Sequence, residues 1–285
     1  MTIDLIRDKN TYCMNKYLSE NYKNLDNVSK KNKEAFKLNN PFPHICFKNF
    51  FDKNYLEEVL KEFPDLSKEK KTAEFNTATD KKKFATNLDF NFPLKTNDLL
   101  NFLNSYQFLK FLQNLTGISE TLIPDPYFHG GGLHEIKKGG FLKIHSDFNY
   151  HPSLKLDRRL NLLIYLNKDW QQNYGGHLEL WNKGMTKCEN KISPNFNSMV
   201  IFKTDDNSYH GHPDPIKCPE NITRKSIALY YYSNGRPIEE RNSKITFHST
   251  IYRNRKNSEE KIETKVPEFK KLFGKIYLRK KTDIS

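Results

Sequence analysis

The chain has 285 residues and a formal net charge of +13, carried by 47 Lys and Arg against 34 Asp and Glu. One domain with extensions accommodates that length and can bury a core, and because only 9 of the basic residues are Arg, fixed-geometry readout of bases and phosphates is disfavoured and no specific nucleic acid is expected as a partner. No apolar run approaches a membrane-spanning length and residues Met1 to Asn10 are charged where a secretory leader would be apolar, so the expectation is a cytoplasmic or otherwise intracellular protein without a membrane span.

In chain order, residues 1–38 are rich in Asn and Lys with little periodicity and read as a polar N-terminal extension, in part helical. Residues 39–120 read as a helical support region. Within it Tyr55, Leu56, Val59, Leu60 and Phe63 recur at helical spacing and predict an amphipathic helix over 51–63. The polar stretch 67–83 reads as an exposed loop. Leu100, Phe102, Leu103, Phe108, Phe111 and Leu112 predict one further helix over 99–115, ended by Gly117. From 121 to 240 the pattern changes to short apolar runs punctuated by Gly130-Gly131-Gly132, Gly139-Gly140, Gly175-Gly176 and His212-Pro213-Asp214-Pro215. Evenly punctuated strands are the signature of a jelly roll. Residues 241–285 read as a basic C-terminal extension in which Ile245 to Tyr252 adds an edge strand. Cys13, Cys46, Cys188 and Cys218 are scattered without a CxxC pair, which gives no sign of structural zinc; Cys188 and Cys218 are the pair that the barrel could bring together.

Three residues at strand spacing carry the chemistry. Side chains at i and i+2 of a strand share a face, so His145 and Asp147 aim at one point. A distant imidazole, from His210 or from His212 on the same face of one extended segment, completes a two-histidine, one-carboxylate set that leaves the opposite face of an Fe(II) ion open. A bare His-x-Asp also forms an ordinary hydrogen-bonded pair, and the rest of the segment decides between the two. Arg224 opens the apolar run from Ser226 to Tyr232, where a buried guanidinium needs an anion. It is matched either by an acidic side chain or by a carboxylate ligand, and Ser226 adds a hydroxyl on the same face.

The segments Leu163 to Trp170, Gly175-Gly176 before Leu178-Glu179-Leu180, Ser198 to Phe202 and Arg224 to Tyr232 resemble, in order, the catalytic blocks of the prolyl 4-hydroxylase-like branch of the Fe(II)/2-oxoglutarate oxygenases, and Pro41 to Ile45 resembles its entry strand. The resemblance spans roughly residues 40 to 236. It implies a mainly β fold with supporting helices, a double-stranded β-helix core, iron ligands His145, Asp147 and His210, and Arg224 holding 2-oxoglutarate. It further implies O₂ as co-substrate, a protein, peptide or small-molecule substrate hydroxylated with release of succinate and CO₂, and ascorbate as an accessory reductant. The chain departs from the family where Gly140 to Ile144 offers no tyrosine hydroxyl ahead of the first ligand. Asn161 and Tyr127 are the candidates to replace it. Two other readings stand beside this one: a non-catalytic cupin-like metal- or sugar-binding module, and a nucleic-acid dealkylase, against which Tyr230 occupies the position where those enzymes carry a second Arg.

Overall fold

The computed structural model describes residues 16–240, 247–256, 258–259 and 262. Helix α1 (Leu25–Leu38) is capped by the Asn24 side chain, which accepts from the Asn27 N–H, and strand β1 (His44–Lys48) follows. In α2 (Lys53–Lys61), capped by Asp52, Leu56 and Val59 are buried as the periodicity predicts. The stretch 67–83 departs from the expected loop. It contains β2 (Thr72–Phe75) and the start of β3 (Asp80–Thr86), a hairpin whose second strand pairs with a later strand. Long-range backbone pairing orders a segment whose own polar residues carry no strand pattern.

The single helix expected over 99–115 is two helices, α3 (Leu94–Leu103) and α4 (Tyr106–Thr116). Ser105 takes an extended conformation between them and caps α4 by accepting from Phe108 N–H. Gly117 ends α4 with φ of 72°, a left-handed conformation that glycine adopts without a Cβ penalty. No helix among the described residues is long and apolar enough to cross a membrane.

The remaining strands are β4 (Ile123–Pro124), β5 (Gly132–Ser146), β6 (Tyr150–His151), β7 (Leu156–Tyr165), β8 (Leu178–Trp181), β9 (Cys188–Ile192), β10 (Ser198–Lys203), β11 (His210–His212), β12 (Arg224–Ser233) and β13 (Ile251–Tyr252). They join in the order β1-β10-β7-β12-β5-β11-β8-β9, with antiparallel pairing between all neighbours. This is the double-stranded β-helix expected from the punctuated strands. Strand β5 belongs to both halves: Gly132 to Ile136 pair with β12, whereas Leu142 and His145 pair with β11. Part of the strand expected over 245–252 lies outside the described residues; Ile251 and Tyr252 pair with Ser146 and His145.

Alternation gives the central strands two faces of different character. Leu160, Leu162, Ile164, Met199, Ile201, Ile227, Leu229 and Tyr231 point to the helices and form one core with Phe36, Leu56, Leu99, Phe108 and Phe111. Each such side chain contributes about 1.5–3 kcal/mol on burial. Tyr17, Leu18, Leu25 and Val28 join the same core. The intervening residues Asn161, Leu163, Ser226 and Tyr230 face a cavity within the barrel. Cys188 and Cys218 are free, their thiols donating to the carbonyls of Asn190 and Ile222; Cys13 lies outside the described residues.

Candidate active site

The cavity measures about 620 Å³ and is lined by residues of β3, β5, β7, β11 and β12. At its centre His145, Asp147 and His210 each offer one ligand atom, and these atoms lie within 4.8 Å of one another. His145 and His210 are direct partners across the β5–β11 ladder, with ring centroids 4.5 Å apart. Their approach requires glycine between the imidazoles of β11. A Cβ on Gly211 would stand 2.8 Å from Leu142 O and 2.9 Å from Lys143 O, so any side chain there would push β11 off β5.

Both imidazoles are oriented in the same way. Nδ1–H of His145 donates to Lys143 O at 2.8 Å, and Nδ1–H of His210 donates to Ser208 O at 2.9 Å. Each Nε2 lone pair is thereby turned toward Asp147, 3.6 Å from Oδ1 for His145 and 3.3 Å from Oδ2 for His210. Backbone carbonyls that fix the tautomer of a histidine are typical of metal ligands. Burial pushes the His210 imidazole down to about 4, against the pull of Asp147, so it is neutral and able to coordinate at neutral pH. Burial alone would raise the Asp147 carboxyl, but Arg158, His210 and His145 outweigh it and hold the group well below the usual carboxylate range. Two neutral nitrogens and one carboxylate on one side of a cavity fit a ferrous ion with open positions.

A second layer holds Asp147. Asn161 Nδ2 donates to Asp147 Oδ2 at 2.6 Å, and Arg158 Nη2 lies 3.1 Å from the same oxygen. Arg158, fully buried, also donates to Asn161 Oδ1 from Nε and Nη2. Its guanidinium carbon stands 3.4 Å from the Tyr230 ring centroid and 4.3 Å from that of Phe148, a cation held between aromatic faces.

The cavity is also lined by Arg224, which is 5 % exposed. Its Nε donates to Gly176 O at 2.8 Å and its Nη2 to Tyr165 Oη at 3.2 Å. Burial pushes the guanidinium below its ordinary range, yet no acidic side chain among the described residues pairs with it. The acidic-partner reading of Arg224 is therefore not met, and a buried cation facing a cavity fits an anionic ligand. Ser226 and His212 line the same space. Burial, reinforced by Arg224, holds His212 well below the ordinary imidazole range.

Residues 131–232 match the family model described as the 2OG-Fe(II) oxygenase superfamily. This segment is a 2OG-Fe(II) oxygenase domain. Among solved structures, the fold is similar to a prolyl hydroxylase from Trichoplax adhaerens in complex with a hypoxia inducible factor oxygen degradation domain peptide fragment, with 17% identity, a TM-score of 0.55, and coverage of 75% of this chain and 92% of that one. It is also similar to a Pseudomonas putida prolyl-4-hydroxylase, with 13% identity, a TM-score of 0.51, and coverage of 73% and 100%. No curated protein matches the chain. The matched segment is that of a 2-oxoglutarate-dependent dioxygenase family, whose cofactor and co-substrate are Fe(II) and 2-oxoglutarate, and the fold is similar to that of the prolyl hydroxylases.

Within this oxygenase domain the predicted residues separate. His145, Asp147, His210, Arg224 and Ser226 line one cavity together with Asn161. Asn161, expected to contact 2-oxoglutarate, instead has both ends of its amide committed to Asp147 and Arg158. Tyr127 is 54 % exposed and does not line the cavity, because it sits in the loop before β5 where Asp125 accepts from its N–H. Of the two candidate imidazoles, His210 joins the ligand cluster and His212 does not.

Sequence reasoning missed Arg158 and Tyr165. Tyr165 was within reach, since it follows Asn161 and Leu163 at period 2 and hence shares their face. Arg158 was not, because a β-bulge shifts the β7–β12 register beside it and spacing alone misplaces its side chain. Tyr252 closes the cavity beside His145 at a ring separation of 5.5 Å, with its hydroxyl donating to Asp80 Oδ2. Gly140, one of the glycines that punctuate the strands, admits the close approach of β3: a Cβ there would stand 2.7 Å from Lys81 O.

Proposed function

We propose that this protein hydroxylates a C–H bond using Fe(II) and 2-oxoglutarate, with a prolyl residue of a protein as the substrate class. The single observation that carries the reading is the convergence of the His145, Asp147 and His210 ligand atoms in a cavity that also holds Arg224, a cation with no acidic partner among the described residues. Fe(II) with 2-oxoglutarate and O₂ supplies the oxidising power for the hydroxylation, with succinate and CO₂ released. In this reading His145, Asp147 and His210 hold the metal, and Arg224 with Ser226 grips the co-substrate's distal carboxylate. Tyr165 steadies the guanidinium through its hydroxyl. Asn161 and Arg158 keep the Asp147 carboxylate ionised and turned to the metal.

Leu142, Leu163 and Leu178 add apolar walls to the cavity, and a lower local dielectric strengthens charge pairing. Aromatic and apolar side chains at its lip, Phe148, Tyr230, Phe75 and Leu88 among them, suit the ring of a proline held by an extended peptide. The free thiols of Cys46, Cys188 and Cys218 accord with a reducing, intracellular setting. Ascorbate enters as the reductant expected to keep the metal ferrous between turnovers.

The experiment is mass spectrometry of the purified, Fe(II)-loaded protein with a panel of proline-containing peptides, alongside succinate release. A gain of one oxygen on proline, dependent on Fe(II) and 2-oxoglutarate and absent from Asp147→Ala, is the expected result. Oxidation of another side chain or of a small metabolite replaces the substrate class. Absence of any Fe(II)-dependent succinate overturns the whole reading.

A further inference from the structure

Strand β11 presents two imidazoles to the cavity, and the metal cluster uses one. His212 is 4 % exposed, and neither of its ring nitrogens has a hydrogen-bond partner among the described residues. Buried polar side chains are nearly always bonded, and each group left unpaired costs about 1–3 kcal/mol. The burial of His212 is also enforced, since Gly211 seats β11 directly against the Leu142 and Lys143 carbonyls. A neutral imidazole in this place is therefore a donor without an acceptor.

The acceptor can be identified by its neighbours. His212 lines the cavity with Arg224, Ser226, Ile136, Leu142 and Leu163. Arg224 itself commits Nε to Gly176 O and Nη2 to the Tyr165 hydroxyl, and no acidic side chain among the described residues pairs with it. Two donors without an acidic partner among the described residues thus line one cavity. A carboxylate has two oxygens with about four acceptor sites, enough for a guanidinium and an imidazole N–H together. Along β5 the cavity-facing Ile136 and Leu142 offer no hydroxyl to take that second place.

We propose that His212 is a co-substrate-binding residue, its ring N–H donating to the distal carboxylate of 2-oxoglutarate beside Arg224. This rests on the function proposed above and adds to it the residue that completes the carboxylate's cradle. The second imidazole of the His210-Gly211-His212 segment is then a ligand for the acid, and the first a ligand for the metal.

The test is direct binding, without turnover. Zn(II)-loaded wild type, His212→Leu and His212→Gln are titrated calorimetrically with 2-oxoglutarate and with 2-oxopentanoate, which has the same chain length and no distal carboxylate. The expected result is about a tenfold loss of 2-oxoglutarate affinity in His212→Leu, as for a hydrogen bond to a charged group, partial recovery in His212→Gln, and no change toward 2-oxopentanoate. Equal 2-oxoglutarate affinity in wild type and His212→Leu overturns the proposal, as does an equal loss for both acids. Should the leucine variant not fold, ¹⁵N-histidine NMR of the Zn(II)-loaded wild type decides. The His212 ring resonances move on adding 2-oxoglutarate if the bond forms, and unmoved resonances at saturation overturn it. Wild type that binds no 2-oxoglutarate at all sinks the proposed function itself, whereas wild-type binding with an indifferent His212→Leu removes this inference alone.

Discussion

Asn161 donates to Asp147 Oδ2 at 2.6 Å while its own Oδ1 accepts from Arg158 at 2.6 and 3.0 Å. The amide therefore transmits the position of a fully buried cation to the carboxylate that faces the two imidazoles. Asn161→Ala removes both bonds and leaves the Arg158 charge to hold Asp147 alone. We expect metal affinity to fall about 10–100-fold, as for other partners of metal ligands, with the 2-oxoglutarate affinity of the metal-loaded enzyme little changed. Metal titration with a competing chelator measures it; unchanged affinity would show that Arg158 suffices.

Gly211→Ala tests the strand approach that brings His210 opposite His145. The added methyl meets two backbone carbonyls inside 3 Å, and backbone cannot yield as a flexible side chain does. The expected cost is about 1–3 kcal/mol of stability, together with a larger loss of metal affinity than the stability change by itself predicts. Thermal unfolding and metal titration on the same preparation separate the two effects.

Arg224→Lys retains the charge and removes the fork. Lysine cannot reach Gly176 O and Tyr165 Oη while also engaging a carboxylate through two parallel bonds. The KM for 2-oxoglutarate should rise at least about tenfold, a loss of roughly 1.4 kcal/mol, with iron retention unchanged after desalting. Steady-state succinate release against 2-oxoglutarate concentration gives the answer, and an unaltered KM would place the co-substrate elsewhere.

His134 supplies a pH signature outside the metal cluster. Burial, with Lys83 and Arg224 adding to it, pushes its imidazole down to about 3, while its ring nitrogen Nε2 meets Gly130 O at 3.2 Å. The folded value lies below the unfolded one of 6.5, so in this window the unfolded chain binds the proton first. His134 thus contributes stability that is fully present above pH 6.5 and is lost as pH falls toward about 3. Unfolding midpoints in denaturant, taken between pH 7 and 4, should decline less steeply in His134→Gln than in wild type. Parallel curves would show that the imidazole titrates normally.

Much of the fold was readable because period-2 alternation is a local property. The runs at 160–165, 198–203 and 226–232 declare their two faces residue by residue; one face of each lies on the helices, and the other reaches the cavity at Asn161, Leu163, Ser226 and Tyr230 but at Val200 and Phe202 packs into a smaller apolar cluster with Phe42, Leu178 and Leu180. The same rule put His145 and Asp147 on one side. The β2–β3 hairpin was not readable, since its polar residues become strand only by pairing with β5.

What the sequence determined by itself is the set of groups: two histidines and an acid at strand spacing, and an arginine at the head of an apolar strand. Tertiary structure alone decided their partners. The β11 register sets His210, and not His212, opposite His145; Asn161 on β7 meets Asp147, and Tyr127 stays outside the cavity. The reason is physical: facing along one strand follows from local backbone geometry, whereas which strands meet, and at which residues, depends on hydrogen bonding and packing between segments far apart in the chain.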